Sequence, residues 1–349
     1  MEVDRQRRSK RRKMQLGTGG REMEKTDIHK VGILTSGGDA PGMNACIRAI
    51  VRSALRHKIE VMDKRRGYEG LIRGNLMRLG PEAVTNILQR GGTFLETSRC
   101  DEMKTVEGRE KAIQFLHSEE IDGLITMGGD GTFRGAVALS REGQIKVVGI
   151  PATIDNDVYG TDYTIGFDTA VNTALQAIDK IRDTAQSLER LFFIEVMGRT
   201  RGFIALEVGI AGGANDILIP ETETNIEELC QELEHSFRRG GTFAIVIVAE
   251  GDTPGGALPI DQEVGKLLGV DYRVCVLGHV QRGGVPTARD RVLASKLGVA
   301  AVDALVNGRD GCMVGEVGGE IVYTPLEQSW QKVKGLPSKL LEMVRILAT

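Results

Sequence analysis

From Val31 onward, short β-branched apolar runs alternate with segments of helical periodicity. The runs VGILT (31–35), DGLITM (122–127), KVVGI (146–150), LFFIEVM (191–197), TFAIVIVA (242–249) and RVCVLG (273–278) predict strands. Their near-continuous apolar character suits a parallel sheet covered on both faces. Between them, 42–58, 107–118, 168–187, 225–238 and 290–307 predict helices. Alternating strand and helix predicts doubly wound α/β architecture. Such sheets place ligands just beyond the carboxyl ends of their strands.

The segment 1–30 departs from this pattern. It is polar, basic at its start and without apolar periodicity, so we expect a disordered tail with no fold of its own. It lacks the apolar stretch of a secretion signal. Across 349 residues the formal net charge is −3, which gives no general affinity for nucleic acid or anionic membranes. No apolar run approaches the roughly 20 residues needed to span a bilayer. Five scattered cysteines without a CxxC pair fit free thiols in a reducing cytosol. A cytoplasmic protein is expected.

The candidate chemistry follows the strands. After the first comes Ser36-Gly37-Gly38-Asp39-Ala40-Pro41-Gly42, a glycine turn leading into a helix. A helix amino terminus offers free N–H groups and partial positive charge to a phosphate. After the second comes Gly128-Gly129-Asp130-Gly131-Thr132. Asp130 repels phosphate directly but can bind it through Mg²⁺, which takes one or two carboxylates plus phosphate oxygens. The GGDGT pattern also occurs in NAD kinases and lipid kinases, so it points to a nucleotide donor without naming the acceptor. After the third strand, Thr153-Ile154-Asp155-Asn156-Asp157 places two carboxylates at the same sheet edge. One can take a proton from an acceptor hydroxyl, and the other can help organise magnesium. Arg199, closing Glu195-Val196-Met197-Gly198-Arg199, can neutralise a transferring phosphoryl group. His279 and Arg282, beside the pair Gly283-Gly284, are cations suited to a dianionic phosphate.

Taken in order, LTSGGDAPGMN, RGGT (90–93), GGDG, TIDND, GTDYTIGFDTA, EVMGR, VAEG (248–251) and LGHVQRGG (277–284) resemble the 6-phosphofructokinase family in its bacterial ATP-using form, from about 31 to 315. The resemblance implies phosphorylation of fructose 6-phosphate by magnesium ATP. It implies two doubly wound α/β/α (Rossmann-like) domains with the active site in the cleft between them. The larger would comprise 31–165 plus 280–330 and bind ATP. The smaller would comprise 166–279 plus 331–349 and bind the sugar phosphate.

By the same resemblance Asp155 is the general base, supported by Thr153 and Asp157. Asp130 holds magnesium, and Arg99 and Arg199 act on the phosphoryl groups. ATP would meet Gly38, Arg99, Cys100, Gly129, Asp130, Gly131 and Thr132. The sugar phosphate would meet Thr153, Ile154, Asp155, Met197, Gly198, Arg199, Glu250, His279, Val280, Gln281 and Arg282. Arg190 and Arg273 would reach it from a neighbouring subunit of a homotetramer. Gly131 and Ala152 favour ATP, because pyrophosphate-using relatives commonly carry Asp and Lys there. The alternatives are a pyrophosphate-dependent enzyme and a catalytically silent regulatory subunit.

Arg48, Arg52 and Arg56 recur at i, i+4 and i+8 and so line one helix face. The resemblance assigns Arg48, Arg52, Arg182 and Arg239 to an intersubunit effector site for ADP or phosphoenolpyruvate. Asn215 and Gly241 replace the family's usual Glu and Lys. We therefore expect activation by ADP to be weak or absent.

Overall fold

The computed structural model describes residues 28–347 except 64 and 75. Most of the tail expected over 1–30 therefore lies outside the described residues. Seven strands form the larger sheet: β1 (Lys30–Thr35), β2 (Glu60–Asp63), β3 (Met77–Arg78), β4 (Gly123–Gly128), β5 (Lys146–Pro151), β10 (Cys312–Val317) and β11 (Glu320–Pro325). Their order is β11-β10-β5-β4-β1-β2-β3. Four form the smaller sheet: β6 (Leu191–Val196), β7 (Asp216–Leu218), β8 (Ala244–Ala249) and β9 (Tyr272–Val276), in the order β7-β8-β6-β9. Every pairing in the smaller sheet is parallel. In the larger sheet only β2–β3 and β10–β11 are antiparallel.

The six apolar runs of the sequence are β1, β4, β5, β6, β8 and β9. All residues of β4 and β8 are buried, as expected of parallel strands with helices on both faces. The expected helices appear as α1 (Met43–Arg56), α3 (Val106–Ser118), α5 (Phe167–Leu188), α7 (Ile226–Arg238) and α9 (Ala288–Val306). The structure adds α2 (Gly67–Arg73), α4 (Asp130–Gly143), α6 (Phe203–Ala211), α8 (Ala257–Leu268), α10 (Gln328–Gln331) and α11 (Ser338–Leu347). One apolar cluster runs continuously from the larger sheet (Ile33, Ile125, Val148) through α5 to the smaller (Ile194, Ile247). The two α/β/α units thus share a core.

Helix α5 carries the chain from one sheet to the other, and a buried carboxylate fixes its start. Asp290 on α9 accepts hydrogen bonds from Gly166 N at 2.9 Å, Thr169 N at 2.8 Å and Thr169 Oγ1 at 2.5 Å. Acceptors at a helix amino terminus satisfy its orphan N–H groups. Thr287 returns the arrangement, capping α9 through Asp290 N at 3.2 Å and donating to Asp168 Oδ2 at 2.5 Å. Gly42 closes the junction from the β1 side. Its φ is 109°, and a Cβ there would stand 2.7 Å from Ile165 Cγ2, so only glycine fits. Replacing Asp290 with Ala leaves three buried donors unpaired. We expect a loss of about 2–4 kcal/mol in stability, read from the denaturant midpoint, with a smaller loss for Asp290→Asn.

Candidate active site

Two glycine turns lie side by side at the carboxyl edge of the larger sheet. Ser36 N donates to Met127 O at 3.1 Å, and Thr132 Oγ1 donates back to Ser36 O at 2.8 Å. Tyr68 Oη donates to Thr132 O at 2.5 Å, and Gly37 N to Ser98 O at 3.4 Å. Helix α4 starts at Asp130 with no side-chain cap, leaving N–H groups at its first turn for a ligand. A Cβ at Gly129 or Gly131 would meet nothing within 4 Å. The turn therefore offers open space in front of helix N–H groups, which is what a phosphate chain needs. Arg99, just past Ser98, is exposed, whereas Cys100 is half-buried and packs against apolar residues under α3 and α4.

The RGGT loop is held from behind. Asn44 Nδ2 donates to the carbonyls of Arg90 and Gly91 at 3.1 Å each, and Phe94 N donates to Asn44 Oδ1 at 2.8 Å. The loop then meets LGHVQRGG. A Cβ on Gly91 would collide with the Gly284 carbonyl. Arg282 crosses to the first turn, its Nη1 2.9 Å from where a Cβ on Gly38 would sit. In this way residues following β9 of the smaller sheet face those following β1 and β3 of the larger.

Between them lies the 153–157 loop. Asp155 is only 9% exposed, and Thr153 Oγ1 donates to its Oδ2 at 3.3 Å. Burial, then the charges of Asp157 and Glu250, raise its pKa to about 6 against the opposing pull of Arg282 and the Thr153 hydrogen bond. Asp130 is also raised, chiefly by burial and then by Asp157, with Arg134 and Arg199 opposing. Ile154 and Met197 are buried in the shared core. Asn156 and Arg199 adopt left-handed backbone, with φ of 54° and 58°. Each such residue costs about 1–3 kcal/mol and persists only where its surroundings hold it. Glu250 holds Arg199, accepting from its N–H at 2.7 Å, and Gly198 before it has φ 146°.

Asp130 Oδ1 is buried without a hydrogen-bond partner. An orphan carboxylate oxygen beside an open phosphate cradle fits a divalent cation that completes its shell with phosphate oxygens. Among the described residues no cluster of three or more His, Cys, Asp or Glu could hold a metal without such a partner. Magnesium, rather than a caged transition metal, suits this donor set.

Other expected residues lie elsewhere or do different work. His279 and Val280 are exposed. Gln281 is fully buried and donates to Gly278 O at 3.1 Å, shaping its own loop. Arg190 and Arg273 flank Asp271, at 3.2 and 3.3 Å. They stand at the amino ends of β6 and β9, about 20 Å of strand away from Arg199 and His279. Arg182 donates to the carbonyls of Gly212 and Gly213, the latter at 2.9 Å. Arg48 and Arg52 lie on α1, half-buried and exposed, and Arg239 is exposed after α7. Asn215 Oδ1 already accepts from Ile245 N at 2.9 Å, and Gly241 N donates to Ser236 O at 3.1 Å. Glu195 turns away from the site to accept from Ala257 N at the start of α8, at 2.8 Å. Sequence reasoning missed Asn44 and Arg134. Arg134 stands four residues after Asp130 on α4, so it would have been found had that helix been expected.

The family model for phosphofructokinase matches residues 30–305. The chain is 57% identical over 321 residues to ATP-dependent 6-phosphofructokinase 1 of Thermus thermophilus, covering 92% of this chain and all of that one. It is 50% identical over 301 residues to the ATP-dependent 6-phosphofructokinase of Coxiella burnetii, covering 86% and 92% of the two. Among solved structures it resembles phosphofructokinase from Saccharomyces cerevisiae, with a TM-score of 0.81 and 36% identity over 92% of this chain and 47% of that one. It also resembles a pyrophosphate-dependent phosphofructokinase from Marinobacter aquaeolei, with a TM-score of 0.79 and 25% identity, covering 89% and 86%. With most of its length matched in sequence and both its sheets in fold, the chain belongs to the phosphofructokinase family.

Proposed function

We propose that this protein transfers the terminal phosphoryl group of ATP to the 1-hydroxyl of fructose 6-phosphate, giving fructose 1,6-bisphosphate and ADP. The observation that carries the reading is Asp155: a buried carboxylate with a raised pKa, beside an open phosphate cradle and faced by Arg282. With a pKa near 6 it is ionised at neutral pH yet binds a proton better than an ordinary carboxylate, as a general base should. Asp155 takes the hydroxyl proton as the sugar oxygen attacks the γ-phosphorus in line, and ADP leaves. Thr153 orients the carboxylate, and Asp157 raises its basicity. Arg199 and Arg99 stabilise charge on the transferring group, and Asp130 would hold Mg²⁺, which when bound offsets phosphate charge. Gly38, Cys100, Gly129, Gly131 and Thr132 would line the nucleotide. Met197, Gly198, Glu250, His279 and Arg282 would seat the sugar phosphate.

ATP is favoured over pyrophosphate because position 131 carries no side chain and Ala152 is small and buried. The presence of both Asp155 and Asp130 argues against a silent regulatory subunit. We further propose a homotetramer, in which Arg190 and Arg273 serve a neighbour's site, and a domain division near 165 and 280. Weak ADP activation accords with Asn215 being engaged by β8. No helix among the described residues is long and apolar enough to cross a membrane, and we place the enzyme in the cytoplasm, in glycolysis.

Initial rates with fructose 6-phosphate should appear with magnesium ATP and not with pyrophosphate; the reverse would overturn the donor. The acid limb of kcat/KM should fall as pH drops through about 6. Asp155→Asn should lower kcat by roughly 10²–10⁴ yet stabilise the fold. A raised carboxyl pKa favours the folded state while the group is protonated, and that advantage is lost as pH rises from about 4 through about 6. The neutral Asn escapes the loss. At pH 8 the variant should thus unfold about 1–3 kcal/mol harder than the parent, with no gain below about pH 4; an unchanged denaturation curve at pH 8 would count against the raised pKa. Gly131→Asp should keep the parent's melting temperature, because its side chain enters open space. It should raise KM for ATP at least about tenfold by repelling the nucleotide's phosphates.

A further inference from the structure

A cavity of about 760 Å³ has Asn156, Asp162, Phe203, Glu207 and Lys334 among its walls, and neither Asp155 nor Asp157 lines it. Lys334 arrives from the segment between α10 and α11, 178 residues along the chain from Asn156. Its ammonium donates to Asn156 Oδ1 at 2.8 Å and to Asp162 O at 2.9 Å, and stands 5.2 Å over the Phe203 ring. Asn156 is also bound by Thr164 N at 2.9 Å and donates to Asp162 O at 3.2 Å. Asp162 and Asp157 of the loop and Glu207 of α6 face the ammonium, while burial lowers its pKa to about 8. A lysine set in so unfavourable a place does more than fill space.

Asn156 stands between Asp155 and Asp157 in left-handed backbone. Rotation about its φ and ψ would re-aim both carboxylates. We propose that Lys334 is a positioning residue: by holding the Asn156 side chain it keeps that backbone conformation, and so sets the direction of Asp155 toward the acceptor hydroxyl. This rests on the reading of Asp155 as the base. Lys334 touches neither the phosphate cradle nor the residues facing the sugar phosphate, so its loss should act on turnover and spare substrate binding.

The test measures kcat, both KM values and the melting temperature for the parent, Lys334→Met and Lys334→Arg, all as full chains. We expect K334M to lose at least about fivefold in kcat with each KM within about twofold, and K334R, which keeps a charged donor, to recover at least threefold over K334M. A smaller kcat loss in folded K334M overturns the proposal. So does an effect confined to KM, or an equal loss in K334R. If K334M does not fold, Lys334→Gln is judged by the same thresholds. An inactive parent would instead refute the proposed reaction, and this inference with it.

Discussion

The buried carboxylate of Asp290 is the point on which both sheets are registered. It accepts three hydrogen bonds from the first turn of α5, the helix that leaves the larger sheet and delivers the chain to β6. Ile165, just before that turn, bridges to Ala152 and fills the space left by the missing Cβ of Gly42. The turn after β1, the loop after β5 and the start of α5 therefore have one mutual arrangement. A carboxylate is well suited to this place, because the helix amino terminus favours negative charge. Burial raises its pKa, and the hydrogen bonds from Thr169 and Gly166 only partly oppose that rise.

Given that frame, the electrostatics of the site follow from who is brought into range. Asp157 ends up close enough to repel both Asp130 and Asp155, and burial is the first cause of the raised pKa of each. The arginines reach the same carboxylates: Arg282 acts on Asp155, and Arg134 and Arg199 on Asp130. Their attraction is outweighed, so the protein by itself leaves an excess of poorly solvated negative charge. A divalent cation held by Asp130 would relieve that excess, and the N–H groups at the start of α4 would be placed to receive the phosphates that accompany it. Backbone strain at Asn156 and Arg199 belongs to the same economy, since the hydrogen bonds that fix them come from the loops around the site.

What could be read from the sequence was what is local. A glycine turn after an apolar strand, or two acids at one sheet edge, is visible within ten residues, and the turns after β1, β4, β5, β6 and β9 were read this way. Helix α4 escaped because Gly131, Gly135 and Gly143 dilute its helical signal. Strands β2, β3 and β7 are too short to show alternation, and β11 is only half-buried. The family resemblance grouped residues distant in the chain into one site, but their individual contacts were not legible. Arg282 over Gly38, Asn44 under Phe94 and Lys334 on Asn156 depend on how the sheets are juxtaposed, and no spacing encodes that. Glu195 shows the converse: it sits in a motif, yet its carboxylate caps α8.

The placement of Arg190 and Arg273 has a consequence for assembly. Both guanidiniums lean on a single carboxylate, Asp271, and Arg273 is exposed. Two positive charges against one negative leave a surplus cation at the amino edge of the smaller sheet. Surface ion pairs of this kind contribute about 0–1 kcal/mol, too little to explain an arginine pair by stability. The residues proposed to seat the sugar phosphate lie at the opposite strand ends, beyond the reach of any rotamer of either arginine. If a dianionic phosphate is to gain these two cations, they must come from another copy of the chain. The active site would then be complete only in the oligomer, and dissociation would cost affinity for the sugar phosphate before it cost the fold.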